Sequence, residues 1–318
     1  MKIDQSLKSI TNCYKKMSNF GKILLFIGIL LILLVFFKET NSAFYQNQNR
    51  IEGFEQNEQF KHLKGNDIYD DFYSSIYDHL VHNDTKDNFE LTNILKITNP
   101  NEKSVILDIG CGTGHHVGKL SQKNFNVTGI DISPAMIKQA FQNYPKQKFV
   151  LGDVLDGDKF PLNTFTHILS LYFTIYFIQD KRRFFDNCMD WLMPGGFLVV
   201  HLVDPHNFDP ILPPGNPLYI VSPQKYAKER ITKTKVNFNK FVYNSQFNYE
   251  ESKNIAVFEE KFKFHDGKTR KQEQILYMED TNQIVAIAQQ SGFTLHSKID
   301  MVKCAYEYQY LYVFIKPS

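Results

Sequence analysis

The sequence predicts an α/β fold: a mostly parallel sheet flanked by helices, with an antiparallel insertion after its fifth strand and one apolar helix in front. Three observations carry this expectation. Between Pro100 and Asp204, short apolar runs alternate with helical stretches, the pattern of parallel strands joined by crossover helices. Between Ile231 and Met278, polar and apolar residues alternate one by one, as in antiparallel strands with one wet face. Ile23 to Phe37 reads ILLFIGILLILLVFF, without a charge.

The apolar run comes first in the chain. Fifteen helical residues would span about 22 Å, short of a hydrocarbon core of about 30 Å. Phe20 and Gly21 lengthen the run if Lys22 snorkels to the interface. A helix apolar on every face does not suit a soluble surface, so residues 23–37 are expected to be a transmembrane helix, with membrane contact over 20–37. A cleaved signal peptide is the alternative, although the preceding region is long and Asn41 suits a cleavage site poorly. Residues 1–22 form a short basic segment. Lys2, Lys8, Lys15, Lys16 and Lys22 precede the run, against Lys38 and Arg50 after it. That bias puts the N-terminus of a single-pass membrane protein in the cytosol.

Residues 38–66 are rich in Asn, Gln and Glu and read as a polar linker; residues 67–318 read as the main domain. Apolar residues fall at helical spacing over 69–80, and a second amphipathic stretch runs over 87–98. Strands are expected at 105–107, 126–130, 149–151, 167–172 and 197–203. Helices are expected at 112–122, at 134–144 with Ser133 as N-cap, and at 181–192, ended by Pro194-Gly195-Gly196. Residues 206–279 form the insertion, with Asp266-Gly267 as a hairpin turn. A helix at 281–291 and two more strands over 293–315 make seven strands in the main sheet.

Composition narrows the function classes. The 318 residues are 43% hydrophobic and 22% charged, which excludes a disordered chain. A net charge of +2 gives no global field for nucleic acid. Cys13, Cys111, Cys188 and Cys304 are scattered, which argues against a disulfide scaffold or a cysteine zinc site. The abundance of Phe, Tyr, Asn, Lys and Ile fits an AT-rich coding bias, so isolated Lys or Phe residues carry little weight.

The informative stretch is Val105-Ile106-Leu107-Asp108-Ile109-Gly110-Cys111-Gly112-Thr113-Gly114. An apolar strand runs into a glycine loop and then a helix, an arrangement that lets a ligand approach the backbone. The spacing is G-x-G-x-G, and no Gly-Lys-Ser/Thr follows, which excludes a P-loop. Asp131 ends the second strand, where a carboxylate can accept from ribose hydroxyls. Asp153 follows the third strand, where a carboxylate can receive an adenine amino group.

VILDIGCGTG, VTGIDISPAMIKQA, FVLGDVLD, HILSLY and LMPGGFLVV together resemble the class I S-adenosylmethionine-dependent methyltransferases, over about residues 69–205. Within the class the resemblance is to small-molecule enzymes, the amino-sugar N,N-dimethyltransferases and glycine-type N-methyltransferases. It implies a Rossmann-like fold, S-adenosyl-L-methionine as cofactor and a set of site residues. Asp108 would order the loop near the methionine amino group. Gly110, Cys111 and Gly112 would line the cofactor through their backbone. Asp131 would bind ribose, and Ile132 would pack on adenine. Asp153 and Val154 would hold the adenine edge. Leu171 and Tyr172 would lie beside the methionine portion. One departure is Phe165-Thr166, where the family often has Phe-Asp.

Methyl transfer is an in-line displacement in which the protein mainly orients the partners. Tyr172, with Tyr73, Tyr77 and Tyr176, is a candidate to face the sulfonium, and His201 is the candidate base. Core packing competes as the reading of Tyr73 and Tyr77, and a strand-end hydrogen bond as that of His201. No metal is expected, because His115 and His116 diverge on a helix and no third ligand is evident. The expected partner is a small-molecule or lipid acceptor, with no nucleic acid. Methylation of protein or nucleic acid, or a non-catalytic cofactor-binding scaffold, are the alternatives. Residues 224–274 hold 12 Lys or Arg against 7 Asp or Glu, which reads as a solvated face or as a preference for an anionic acceptor.

Overall fold

The computed structural model describes residues 17–23, 25–30, 59–210, 224 and 227–318. The chain divides into two compact units, Met1–Glu55 and Gln56–Ser318. In the first, residues 19–23 and 25–30 are helical. No helix among the described residues is long and apolar enough to cross a membrane, which corrects the expected transmembrane helix over 23–37. Residues 31–37 lie outside the described residues. The single-pass placement, and the orientation drawn from the flanking lysines, fall with that helix.

The second unit holds two sheets. Five strands of the main sheet run parallel: β2 (Val105–Ile109), β3 (Asn126–Asp131), β4 (Lys148–Leu151), β5 (Phe165–Ser170) and β6 (Leu192–Val203). Two C-terminal strands, β11 (Thr294–Asp300) and β12 (Gln309–Ile315), complete it, with β12 antiparallel to both β6 and β11. The order is β11-β12-β6-β5-β2-β3-β4. The chain thus builds outward from β2 to β4, then crosses back to β5. That reversal, between β2 and β5, is where open α/β sheets leave a crevice at their carboxyl ends.

Alternate residues of each central strand feed opposite cores, as the pleat requires. Leu107 and Ile109 pack with Phe184, Phe185 and Trp191 of α5 (Lys181–Trp191) and with Ile284 of α6 (Thr281–Gln290). Ile106 packs instead with residues of α2 (Asp84–Thr98), α3 (His115–Ser121) and α4 (Pro134–Asn143). Capping fixes where the helices begin. Ser133 Oγ accepts Met136 N at 3.1 Å and Pro134 occupies the first turn of α4. At α6, Asp280 and Gln283 form a capping box.

The second sheet is antiparallel except at one edge. It comprises β7 (Lys233–Asn237), β8 (Phe241–Glu250), β9 (Ile255–Phe264) and β10 (Thr269–Tyr277), joined by β1 (Phe60–Lys64), which pairs parallel with β10. Polar sequence concealed β1, whose side chains alternate between exposed and half-buried. Helix α1 (Asp71–Val81) packs Phe72, Tyr73 and Ile76 against Tyr243 and Phe262 of this sheet.

Two local readings also shift. Pro194-Gly195-Gly196 lies within β6 rather than before it, because the backbone around Gly195 pairs with Lys316. Thr166, where the resembling family often has Asp, ties β5 to β2 through its hydroxyl, which accepts Val105 N at 3.0 Å.

Candidate functional site

The glycine loop joins β2 to α3 at the switch point. Gly110 has φ of +67°, and its N–H donates to Ile130 O at 2.8 Å. A Cβ at Gly110 would stand 2.5 Å from Thr174 Oγ1 and 2.6 Å from its Cγ2. The loop therefore lies directly against the turn that follows β5. Gly112 N donates to Asp131 Oδ2 at 3.0 Å, and Ser133 N donates to Asp131 Oδ1 at 2.9 Å. One carboxylate thus ties the loop, the end of β3 and the start of α4 together. Burial pushes the Asp131 pKa up, although three backbone N–H groups oppose it. Beside it Ile132 is 43% exposed, an apolar platform at the mouth of the crevice.

Asp153 is exposed, and its Oδ1 accepts Leu155 N at 2.9 Å. Val154 is half-buried against the core, and its carbonyl accepts Asn187 Nδ2 at 2.8 Å. Cys111 is buried, and burial pushes its thiol pKa well up, so it is no nucleophile. Asp108 is 2% exposed, and its Oδ2 is buried without a hydrogen-bond partner. Burial raises its pKa to about 6, with Asp87 and Glu90 adding to the rise and His116 opposing it.

Leu171 is buried, and its carbonyl accepts the Thr174 hydroxyl at 2.9 Å. Tyr172 has φ of +53°, a conformation bulky residues rarely adopt, and its ring lines the cleft. His201 is fully buried, with Nδ1 on the Tyr172 carbonyl and Nε2 3.1 Å from Gln309 Oε1. Burial lowers its pKa to about 4, so the ring is neutral and carries one N–H. That proton is donated to the Tyr172 carbonyl, and Nε2 accepts once the Gln309 amide is turned to present its nitrogen. Both nitrogens are engaged inside the protein, an arrangement that positions Tyr172.

The structure gathers residues that the sequence left apart. A cleft of about 830 Å³, counting open solvent at its mouth, lies between α1, the turn after β5 and the second sheet. Tyr69, Tyr73, Tyr77, Tyr172, Tyr243 and Tyr306 line it. Tyr77 reaches within 3.8 Å of where a Gly112 Cβ would lie, so the cleft opens on the glycine loop. Tyr176 does not line it; its hydroxyl is buried and accepts Val203 N at 2.7 Å. Glu260 of β9 is 2% exposed at the cleft. A signal for it existed, since Glu260 shares the inward side of its strand with Phe258 and Phe262 in Val257-Phe258-Glu259-Glu260-Lys261-Phe262.

Beneath the loop lies a buried charge cluster. Lys86 Nζ is 2.9 Å from Glu90 Oε2, and His116 Nε2 is 3.2 Å from the same oxygen. Asp87, Glu90 and His116 come close enough to share a metal ion, as do His82, Asp84 and Asp87. The sequence reading lacked these third partners because α2 and α3 meet only in the fold. Lys86 and Lys119 (3.1 Å from Asp87 Oδ2) already supply positive charge to both groups, the role a cation would take.

The strand order, with an antiparallel β12 beside β6 and a glycine loop at the switch point, defines a class I methyltransferase fold. Residues 107–200 match the family described as a methyltransferase domain. Over those residues the chain is similar to a methyltransferase domain, on a fold shared with S-adenosylmethionine-dependent methyltransferases. It is 29% identical over 114 residues to a dTDP-4-amino-2,3,4,6-tetradeoxy-D-glucose N,N-dimethyltransferase of Saccharopolyspora spinosa, covering 35% of this chain and 45% of that protein. It is 32% identical over 107 residues to the 18S rRNA (guanine-N(7))-methyltransferase of Bos taurus, covering 30% and 38%. The chain thus spans less than half the length of these curated relatives. The fold is similar to that of the CcbJ methyltransferase from Streptomyces caelestis, with a TM-score of 0.59 and 17% identity over 79% of this chain and 98% of that one.

Proposed function

We propose that this protein transfers a methyl group from S-adenosyl-L-methionine to a small molecule held in the tyrosine-lined cleft. The observation that carries this reading is the continuity of that cleft with the glycine loop, through Tyr77 and Tyr172. The residues present fit the cofactor. Asp131 offers a carboxylate where a ribose would lie, Ile132 offers an apolar surface for an adenine, and the orphaned Asp108 oxygen offers a partner for an ammonium. The bound cofactor supplies an electrophilic methyl on a sulfonium. The chain orients the acceptor, keeps water out with aromatic walls, and presents tyrosine faces to positive charge. Tyr172 is placed for this by the strained backbone that His201 supports. An aromatic-walled cleft without basic lining suits a small acceptor better than a polynucleotide, which needs an open basic groove.

The test is calorimetric titration of the full chain with S-adenosylhomocysteine. Saturable binding is expected, weakened tenfold or more by Asp131→Ala, which is about 1.4 kcal/mol. A folded wild-type protein that binds none would sink the reading.

Asp108 adds a pH signature. Its folded pKa of about 6 means the carboxyl keeps its proton below that pH. A ligand ammonium at its orphaned oxygen favours the carboxylate, so binding drives the proton off. About half a proton should be released per S-adenosylhomocysteine bound at pH 6, and almost none at pH 8. Binding heats compared across buffers of different ionisation enthalpy measure this. Equal release at both pH values would assign the proton to another group.

A further inference from the structure

The charge pattern of the cleft selects its occupant. Glu260 accepts from the Tyr73 hydroxyl at 3.1 and 3.0 Å, from the Tyr243 hydroxyl at 2.8 Å, and from Gln272 Nε2 at 2.6 Å. Every partner donates, which is the surrounding an ionised carboxylate requires. None of the three carries charge, and Glu260 has no ion pair among the described residues. The guanidinium of Arg270, on the neighbouring strand, is taken by Asp70 at 2.7 Å, Gln272 at 2.8 Å and the Ile68 carbonyl at 2.8 Å.

A buried carboxylate that touches no cation is costly: the Arg270 charge acts on Glu260 across Gln272 but is outweighed by burial, and the wall of the cleft adds no counter-charge. No Lys, Arg or His lines it among the described residues, and its other charged lining residue, Asp209, is also acidic. Lys86 stands behind the wall, 5.1 Å from the Tyr172 ring centroid, and is paired with Glu90. The remaining lining is largely aromatic: Phe173, Phe177, Phe208, Phe247 and Phe258 join the tyrosines. Aromatic faces around one acid form a cation site.

We propose that the cleft takes a cationic small amine, with Glu260 as its counter-charge and the tyrosine faces around its nitrogen, so that the methyl acceptor is an amine nitrogen. The proposal rests on the methyltransferase reading and names its substrate class. For transfer, the ammonium gives one N–H proton to the Glu260 carboxylate. The freed nitrogen lone pair forms the new N–CH3 bond as the S–CH3 bond breaks, and the sulfur keeps that electron pair. The products are an N-methylammonium and S-adenosylhomocysteine, and Glu260 then returns its proton to solvent. Burial raises the Glu260 pKa, which suits a group that accepts a proton. Of the described basic residues over 224–274, Arg230 stacks on Phe208 and Phe247 and none lines the cleft itself, so the anionic acceptor that their surplus suggested is not favoured.

The experiment titrates the full chain with benzyltrimethylammonium, and separately with benzoate, each with and without saturating S-adenosylhomocysteine. The cation should bind and benzoate should not. Glu260→Gln should weaken the cation tenfold or more, while Glu260→Asp, which keeps the charge, should retain most of the affinity. S-adenosylhomocysteine titrations of both variants report whether the fold stands. Equal cation affinity in wild type and Glu260→Gln, no cation binding by the wild type, or equally tight benzoate binding would each overturn the amine assignment while leaving methyl transfer intact. Absence of S-adenosylhomocysteine binding by the wild type would instead overturn the methyltransferase reading, and the amine acceptor with it.

Discussion

Lys86→Met is expected to destabilise the folded protein by about 3–5 kcal/mol, the cost of leaving a buried charge unpaired. Lys86 is 4% exposed and Glu90 is 0% exposed, with 2.9 Å between Nζ and Oε2. Glu90 Oε1 already lacks a partner, so the carboxylate has only His116 to fall back on. At roughly 2–4 °C per kcal/mol for a domain of this size, the melting temperature should drop by about 10 °C. Lys86→Met/Glu90→Gln should recover much of the loss, because it removes both charges. An unchanged melting temperature for Lys86→Met alone would show that the pair contributes nothing.

The pH dependence follows from the same pair. Burial pushes the Glu90 pKa up, but the Lys86 charge and the His116 hydrogen bond outweigh it and bring the value to about 2, below the ordinary 4.5. A depressed acid contributes its full stabilisation above about pH 4.5 and loses it as pH falls toward 2. In Lys86→Met the orphaned carboxyl takes up a proton readily. The gap between wild type and variant should therefore narrow from pH 7 to pH 3, as thermal melts would show.

Gly110→Ala is expected to cut S-adenosylhomocysteine affinity by at least a hundredfold. The position demands φ of +67°, which costs an L-residue about 1–2 kcal/mol. The added methyl would also stand 2.5 Å from Thr174 Oγ1, far inside contact distance. Relief requires the turn after β5 to move, and that turn leads into Phe177 of the cleft wall. Both halves of the crevice are disturbed by one atom. Gly110→Ala/Thr174→Gly removes the clash but not the backbone strain, so partial recovery is expected. Wild-type affinity in Gly110→Ala would show that the close approach is dispensable.

The main sheet was legible because its signals are local. Val105–Leu107 is a continuous apolar run, as a strand covered on both faces requires, and short apolar segments recur in the strands after it. Gly110 and Gly112 sit where the backbone must turn sharply, and Asp131 sits at a strand end that periodicity locates. The insertion was legible in the same way, from alternation along β8, β9 and β10. β1 was not, because FKHLK carries little apolar signal and is held by hydrogen bonds to β10. The apolar run at 23–37 read as a membrane helix because hydropathy records composition alone.

The residues of one strand and its following loop were determined by the sequence alone: the parallel order of elements, the glycine loop, and the carboxylates Asp108, Asp131 and Asp153 at strand ends. Each depends on neighbours within a few positions, where periodicity and turn chemistry act. The cleft and its charges were decided by tertiary structure. Tyr73 lies 187 positions from Glu260, to which it donates, and Gln309 lies 108 positions from His201. Such pairs form because packing α1 against the second sheet, and β12 against β6, buries polar groups that must then find partners. The same polar residues in an exposed setting would bond to water instead.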